Sequence, residues 1–423
     1  MTITRWIGTA ALLAACSKAP DSKQPPPDPN PKPVAPIDAA APAASSGWYR
    51  AVIGEKQGTA IPVFLQLPAG GTEALIATGP DRVHAKLVSG PPKVVIAFEV
   101  LRTQIEATAQ PSGALDGTWD SKSGSWGSAS LSFHAEPIPG PDPDKRFPSA
   151  PGPDPSGVWK LQLTKPEELA KLTIHKGSAP NELTATIGFQ TGNLAFLAGN
   201  QEGKTIRLSA FDGASPYLIV AEIDEAAKQL KGNWTAGQAL AWKETLTGQK
   251  TNDFVLEQQM QLSKARPKLK VAQLAKPPYA GNPVIVELGG SWCPACGHAS
   301  AKLKALKDKY AAEGLQVLTL AYEFTDDAAY NKQQAEVFKT KYQIPWDVIP
   351  VDGGIEKYNE IIPEGIEQID PSGFPITIFV ARDGTIEGFH SGFPPENWGE
   401  LHKQTLEDFD RLTAKIVASK KSK

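Results

Sequence analysis

Val284-Ile285-Val286-Glu287-Leu288-Gly289-Gly290-Ser291-Trp292-Cys293-Pro294-Ala295-Cys296 is the stretch from which this chain is read. Its first five residues form a short, mostly apolar run of the length of a buried strand. Glycine and serine interrupt it, and two cysteines follow, three residues apart. Beyond them Ala299, Leu303, Leu306 and Tyr310 recur at spacings of three and four, the apolar stripe of a helix. The cysteines therefore belong to a strand-to-helix junction. Cys293 falls at the helix N-terminus, where unpaired backbone N–H groups and the helix dipole stabilise negative charge. That position lowers a thiol pKa from about 8.5 into the range of roughly 3.5–7.5. Cys296 lies one turn deeper on the same face, within reach of a mixed disulfide formed at Cys293. Pro294 suits a first helical turn, which needs no N–H from it.

Other uses of a cysteine pair fit less well. A structural zinc site needs further ligands, and the chain has only three cysteines. Covalent haem attachment needs a histidine directly after the second cysteine, and Gly297 stands between Cys296 and His298. A static disulfide stays open, although closing so short a loop adds little stability. Redox chemistry is the favoured reading, with no cofactor and no metal.

The pattern downstream alternates strand and helix. Gly314 stops the first helix and Leu315–Leu320 reads as a strand. Thr325 is placed as the cap of the next helix, with Asp326 and Asp327 in its first turn and Phe338 and Tyr342 on its apolar side. A strand is expected at 346–351, another over Pro375–Val380, then a hairpin turn at Arg382-Asp383-Gly384-Thr385 leading into Ile386–Phe389. Leu401, Leu406, Phe409, Leu412 and Ile416 mark a final amphipathic helix. Residues 265–418 are thus an α/β domain.

Two motifs carry a family resemblance. Trp292-Cys293-Pro294-Ala295-Cys296 follows a hydrophobic strand and, after a long insertion, comes Gly373-Phe374-Pro375-Ile376-Thr377. Over residues 280–416 the chain resembles the TlpA/ResA-like group of thioredoxin-fold proteins, extracytoplasmic oxidoreductases often tethered to membranes. The resemblance implies a cis Pro375 beside the cysteines, and a substrate groove lined by Trp292, Pro294, Ala295 and Phe374. It also sets Glu287, six residues before Cys293, where thioredoxins carry a buried aspartate. Glu287 is then a candidate general base for Cys296, its pKa raised by burial. The competing reading is a carboxylate paired with a nearby cation. His298 is expected to face solvent. Ile376 stands where the family usually has threonine, and Phe374 is bulkier than the common leucine, which leaves substrate preference open. Family analogy favours the reductase direction, with disulfide-containing or dithiol proteins as substrates and a separate electron donor.

Outward from this domain the sequence changes character. The chain has 423 residues, 41% hydrophobic and 21% charged, with a net charge of −3. That balance gives no electrostatic footprint for nucleic acid. Residues 1–16 read as an export signal: Arg5 supplies positive charge, and the apolar stretch 6–15 is too short to span a bilayer. It ends in Leu13-Ala14-Ala15-Cys16, which resembles the lipobox of bacterial lipoproteins. Cys16 is then the lipidation site and the membrane anchor. Ser17 leans towards the outer membrane, with the domains facing the periplasm. Residues 17–46, rich in Pro and Ala, form a spacer, and a second proline-rich linker covers 137–155.

The segments 47–136 and 156–250 resemble each other. Ser46-Gly47-Trp48-Tyr49 is echoed by Ser156-Gly157-Val158-Trp159, and Gly117-Thr118-Trp119 by Gly232-Asn233-Trp234. Each Gly-x-Trp precedes a strand-like run, Ser130–Phe133 in one copy and Ala239–Trp242 in the other. The pattern is an internal duplication with a period of roughly 110 residues. Short alternating runs such as Ile61–Leu67, Thr205–Ser209 and Tyr217–Val220 argue for antiparallel sheet, a small barrel or sandwich per copy. The tryptophans are expected in the cores, and His84, His134 and His175 as scattered sheet or surface residues. The fold expectation is two antiparallel all-β domains followed by an α/β thioredoxin-like domain. The functional expectation is an envelope thiol–disulfide oxidoreductase. Two alternatives stand beside it: a binding or scaffold lipoprotein in which the β repeats hold a partner, and a copper-handling thiol protein.

Overall fold

Period-two alternation of apolar and polar side chains builds the first two thirds of the protein into antiparallel sheet. The computed structural model describes residues 46–420, apart from 90–91, 123–127, 165–166, 191–193, 257–266, 324 and 355–373. The expected signal with its lipidation site Cys16, nearly all of the first spacer, and Gly373 lie outside the described residues.

The first repeat comprises β1 (Gly47–Ile53), β2 (Ile61–Leu67), β3 (Glu73–Thr78), β4 (Asp81–Ser89), β5 (Lys93–Phe98), β6 (Thr103–Ala109), β7 (Leu115–Lys122) and β8 (Ser128–Ile138). The second comprises β9 (Gly157–Thr164), β10 (Glu167–Lys176), β11 (Glu182–Phe189), β12 (Leu194–Glu202), β13 (Thr205–Phe211), β14 (Pro216–Asp224), β15 (Gln229–Ala236) and β16 (Trp242–Thr251). Each copy is a closed barrel in which every strand pairs with its neighbours in the chain. Closure is made by β1 on β8, with Ala51 opposite Ala135, and by β9 on β16, with Leu161 opposite Gly248. A closed barrel leaves no exposed sheet edge, which a sandwich would.

Side chains fill both interiors. Tyr49, Ala51 and Ile53 from β1 and Trp119 from β7 are fully buried, and Trp159, Leu161, Leu172 and Ile174 do the same in the second barrel. The repeated Gly-x-Trp has one cause in both copies. A Cβ on Gly117 would strike the carbonyl oxygen of Glu106 on the adjacent strand, and one on Gly232 would strike that of Val220.

The barrels share a core. Phe211, Leu218 and Leu240 of the second repeat join the apolar cluster of the first. Phe211 meets Phe98 edge-on at 5.6 Å and Trp119 at 5.7 Å. The proline-rich stretch 137–155 lies along this junction. Its Arg146, 2% exposed, donates to the carbonyls of Pro62 and Ala77 at 2.7 and 3.0 Å, and the Phe147 N–H donates to Asn200 Oδ1 at 2.8 Å. Two sequence expectations fail here. Leu240 is not in a strand but in a turn, at φ 53°, because it leaves its own barrel to fill the neighbouring one. Trp242, at the start of β16, is 44% exposed rather than core.

The last domain has a five-stranded mixed sheet and is thioredoxin-like. Its strands are β17 (Val284–Gly289), β18 (Gln316–Ala321), β19 (Asp347–Pro350), β20 (Ile376–Val380) and β21 (Ile386–Ser391), in the order β19-β18-β17-β20-β21. The central β17 is buried throughout, parallel to β18 and antiparallel to β20. Three helices cover it: α1 (Pro294–Lys309), α2 (Ala328–Lys341) and α3 (Glu400–Val417). Asp327, not Thr325, caps α2, its Oδ1 accepting from the N–H groups of Ala329 and Tyr330 at 2.9 and 3.1 Å. Among the described residues no helix is long and apolar enough to cross a membrane.

Candidate active site

Strand β17 ends at Gly289, and four residues separate it from the start of α1 at Pro294. The short loop between them places Cys293 as the N-cap of α1, in extended geometry (φ −100°, ψ 108°), with Pro294 as the first helical residue. Its Sγ accepts from the Cys296 N–H at 3.1 Å. The sulfur thus takes one of the donors that a helix start leaves without an intrahelical partner. Cys293 and Cys296 form a disulfide, with their Cα atoms 5.4 Å apart. Cys296 is fully buried and Cys293 is 4% exposed, so Cys293 is the residue of the pair with any exposed surface.

Backbone shape makes room for the deeper sulfur. A Cβ on Gly289 would lie 2.9 Å from Cys296 Sγ, and a Cβ on Gly290 would run into the Trp292 indole. Trp292 is held by its Nε1–H, which donates to the Tyr322 carbonyl at 2.7 Å. Its ring meets Phe374 edge-on at 5.2 Å. The Phe374–Pro375 peptide is cis, and the Pro375 carbonyl accepts from the Gly392 N–H at 2.8 Å. Pro294 and Ala295 are half-buried on the first turn of α1, and His298 is exposed.

Two carboxyl groups are buried near this loop. Glu287 lies on β17 two residues before Gly289, hence on the face of the strand that meets Cys296. It is fully buried, and burial pushes its pKa up to about 7. Its Oε2 accepts from Thr319 Oγ at 2.8 Å, and that hydroxyl in turn accepts from Trp346 Nε1–H at 2.9 Å. Thr319 is therefore oriented to donate to Glu287. Glu287 Oε1 has no hydrogen-bond partner among the described residues, and no cation is paired with this carboxyl there.

Sequence reasoning missed the second group, Glu323, also fully buried. It grips the loop itself. The Ser291 N–H donates to Oε1 and the Ser291 hydroxyl to Oε2, each at 2.8 Å. Burial raises its pKa, opposed by those two bonds and by the charge of Arg102. A signal was present in the sequence. Strands β17 and β18 run parallel, so residues just past the end of one lie beside residues just past the end of the other.

Chemically the arrangement has an outer sulfur at a helix start, an inner sulfur behind it, and a carboxyl of near-neutral pKa on the face below. No protein-family model matches the chain. No curated protein matches it either. Among solved structures, similarity is found to a putative thiol:disulfide interchange protein DsbE from Chlorobium tepidum, at 22% identity over 30% of this chain and 80% of that one, with a TM-score of 0.23. A secreted disulfide oxidoreductase of Mycobacterium tuberculosis is 16% identical over 32% and 82%, with a TM-score of 0.23. StoA from Bacillus subtilis is 18% identical over 31% and 84%, with a TM-score of 0.22. Likeness at this level transfers no function.

Proposed function

We propose that this protein is a thiol–disulfide oxidoreductase of the cell envelope that reduces disulfides in extracytoplasmic proteins. The observation that carries the reading is Cys293 as the N-cap of α1, joined to Cys296. In the reduced protein, a Cys293 thiolate attacks one sulfur of a substrate disulfide and expels the other as a thiolate. The Cys296 thiolate then attacks Cys293 Sγ, releases the second substrate sulfur, and forms the Cys293–Cys296 bridge. Glu287 takes the proton from Cys296 as it attacks and returns it on re-reduction. A separate dithiol donor supplies the two electrons that regenerate the pair. Trp292, Pro294, Ala295, Phe374 and Pro375 form the surface that receives substrate. Lipidation at Cys16 anchors the chain, with the domains in the periplasm and the outer membrane favoured.

The test is insulin reduction followed by turbidity. Cys293→Ser is expected to abolish turnover, and Cys296→Ser to accumulate a mixed disulfide with substrate. Undiminished turnover by Cys293→Ser overturns the assignment.

A further inference from the structure

The loop that carries Cys293 is clamped by the end of the neighbouring strand. The Cys293 N–H donates to the Gly290 carbonyl at 3.1 Å, which closes a four-residue turn with Ser291 and Trp292 at its centre. Tyr322 and Glu323, the two residues that follow β18, hold that turn. The Tyr322 N–H donates to the Gly289 carbonyl at 2.7 Å, and the Tyr322 carbonyl accepts from Trp292 Nε1–H at 2.7 Å. Glu323 Oε1 accepts from the Ser291 N–H and Oε2 from the Ser291 hydroxyl, each at 2.8 Å. The Tyr322 bonds are made by its backbone, so Glu323 supplies the side-chain part of the clamp. Both partners are buried, Glu323 at 0% and Ser291 at 1% exposure. A carboxyl is costly to bury, and bonds to a charged group are among the stronger ones. The chain also packs closely behind it: a Cβ on Gly354 would strike the Glu323 carbonyl oxygen.

We propose that Glu323 is a positioning residue of the redox site: by holding Ser291 at two points it sets the turn that presents Cys293 as the N-cap of α1. This rests on the reading of Cys293–Cys296 as the working pair. The placement matters because the Cys293 sulfur gains from the helix start only while it meets the N–H groups there, as it meets that of Cys296 at 3.1 Å. A turn released from Glu323 lets Cys293 leave that geometry, and its thiolate loses the stabilisation. The hold and the charge of Glu323 act in opposite directions. As an anion holding the loop, Glu323 opposes a second anion at Cys293. As a clamp, it favours that anion by placing it. Removing the side chain therefore separates the two by the sign of the effect.

The experiment is iodoacetamide alkylation of the reduced full chain across pH, with modification at Cys293 read by peptide mass, in wild type, Glu323→Ala and Glu323→Gln. Glutamine keeps both contacts, its carbonyl accepting from the Ser291 N–H and its amide donating to the hydroxyl oxygen. Glu323→Ala is expected to lower the alkylation rate at pH 7 about fivefold and to move the pH profile upwards, the scale of losing an anion's interaction with a helix start. Glu323→Gln should react at least as fast as wild type. An alanine variant that reacts as fast as wild type, or faster, overturns the proposal, and so does a glutamine variant slowed as much as the alanine one. If Glu323→Ala fails to fold, Ser291→Ala takes its place. It removes the hydroxyl bond and leaves the N–H bond, so a fall of about twofold is expected, and an unchanged rate overturns the proposal in the same way. A wild-type Cys293 that titrates at about 8.5, as a free cysteine does, overturns the oxidoreductase reading itself, whatever the variants do.

Discussion

Glu182 in the second barrel and Glu287 in the redox domain are both buried carboxyl groups, and their surroundings are opposite. Glu182 Oε2 accepts from the Ser178 N–H, the Ser178 hydroxyl and the Ala179 N–H at 2.6, 2.8 and 3.2 Å. Glu287 has a single hydroxyl donor and one oxygen left over. The inter-barrel Arg146 repeats the first pattern, with two carbonyl acceptors. Buried polar groups are ordinarily satisfied, and an exception costs stability. At Glu182 and Arg146 the barrels bury charge where hydrogen bonds offset the cost. The redox domain keeps an under-satisfied carboxyl on the strand that runs beneath its inner sulfur. Perturbed groups of this kind cluster where proton transfer is required. Glu182 and Arg146 are compensated by their partners, whereas Glu287 is left with one oxygen uncompensated among the described residues.

The largest way to break that contrast is to damage the barrels alone. Trp119→Ala empties a fully buried site against Phe211 and is expected to destabilise the barrels by about 3–5 kcal/mol. Denaturant titration should show the barrel transition moving while, below it, the exchange rate of the disulfide with a small thiol stays unchanged. Loss of exchange at denaturant concentrations where the barrels are still folded would erase the contrast.

Glu287→Gln sharpens the contrast from the other side. Its folded pKa of about 7 lies above the ordinary 4.5, so the folded protein holds this proton more tightly than the unfolded chain does. The stability this contributes is fully present below pH 4.5 and is lost as pH rises through 7. Glutamine does not titrate, so the variant should match wild type in acid and gain roughly 3 kcal/mol above pH 7. Measuring the oxidised protein keeps the cysteines out of the titration. The same variant should lose about a hundredfold in insulin reduction if the carboxyl moves the Cys296 proton. A more stable and slower protein is the expected outcome; unchanged turnover with raised stability would make Glu287 only a burden.

How much of this was legible in the sequence follows from how local each cause is. The cysteine pair, the strand before it and the helix after it are set by a few consecutive residues, and they were readable. The Gly-x-Trp repeat revealed the duplication, since Gly117 and Gly232 meet the same steric demand. Period-two alternation does not separate a barrel from a sandwich, because inward and outward faces alternate in both; only the pairing of β1 with β8 decides. Leu240 was misassigned because its burial is supplied by the other barrel. Glu323 could have been found from parallel strand ends. The contact of Arg102 with the Tyr330 ring could not, because nothing near Arg102 in sequence says that its side chain crosses to α2.

The smallest expected effect concerns the cap of α2, where a local reading chose the wrong neighbour. Thr325 and Asp327 both have the side-chain chemistry of an N-cap. Asp327 wins because its carboxylate reaches two free N–H groups and carries charge at the positive end of the helix. Thr325 instead bonds the Asn331 side chain, at 2.5 Å through its hydroxyl and at 2.8 Å through its carbonyl. Asp327→Ala is expected to cost the redox domain about 1 kcal/mol, the usual value of a lost cap. Thr325→Ala should cost less, because the carbonyl bond to Asn331 survives it. Since α2 carries the ring on which Arg102 rests, Asp327→Ala also probes the join between the two regions. A shift confined to the redox transition marks α2 as belonging to that domain alone. An equal shift of the barrel transition would show that Arg102 and Tyr330 tie the two regions into one unfolding unit.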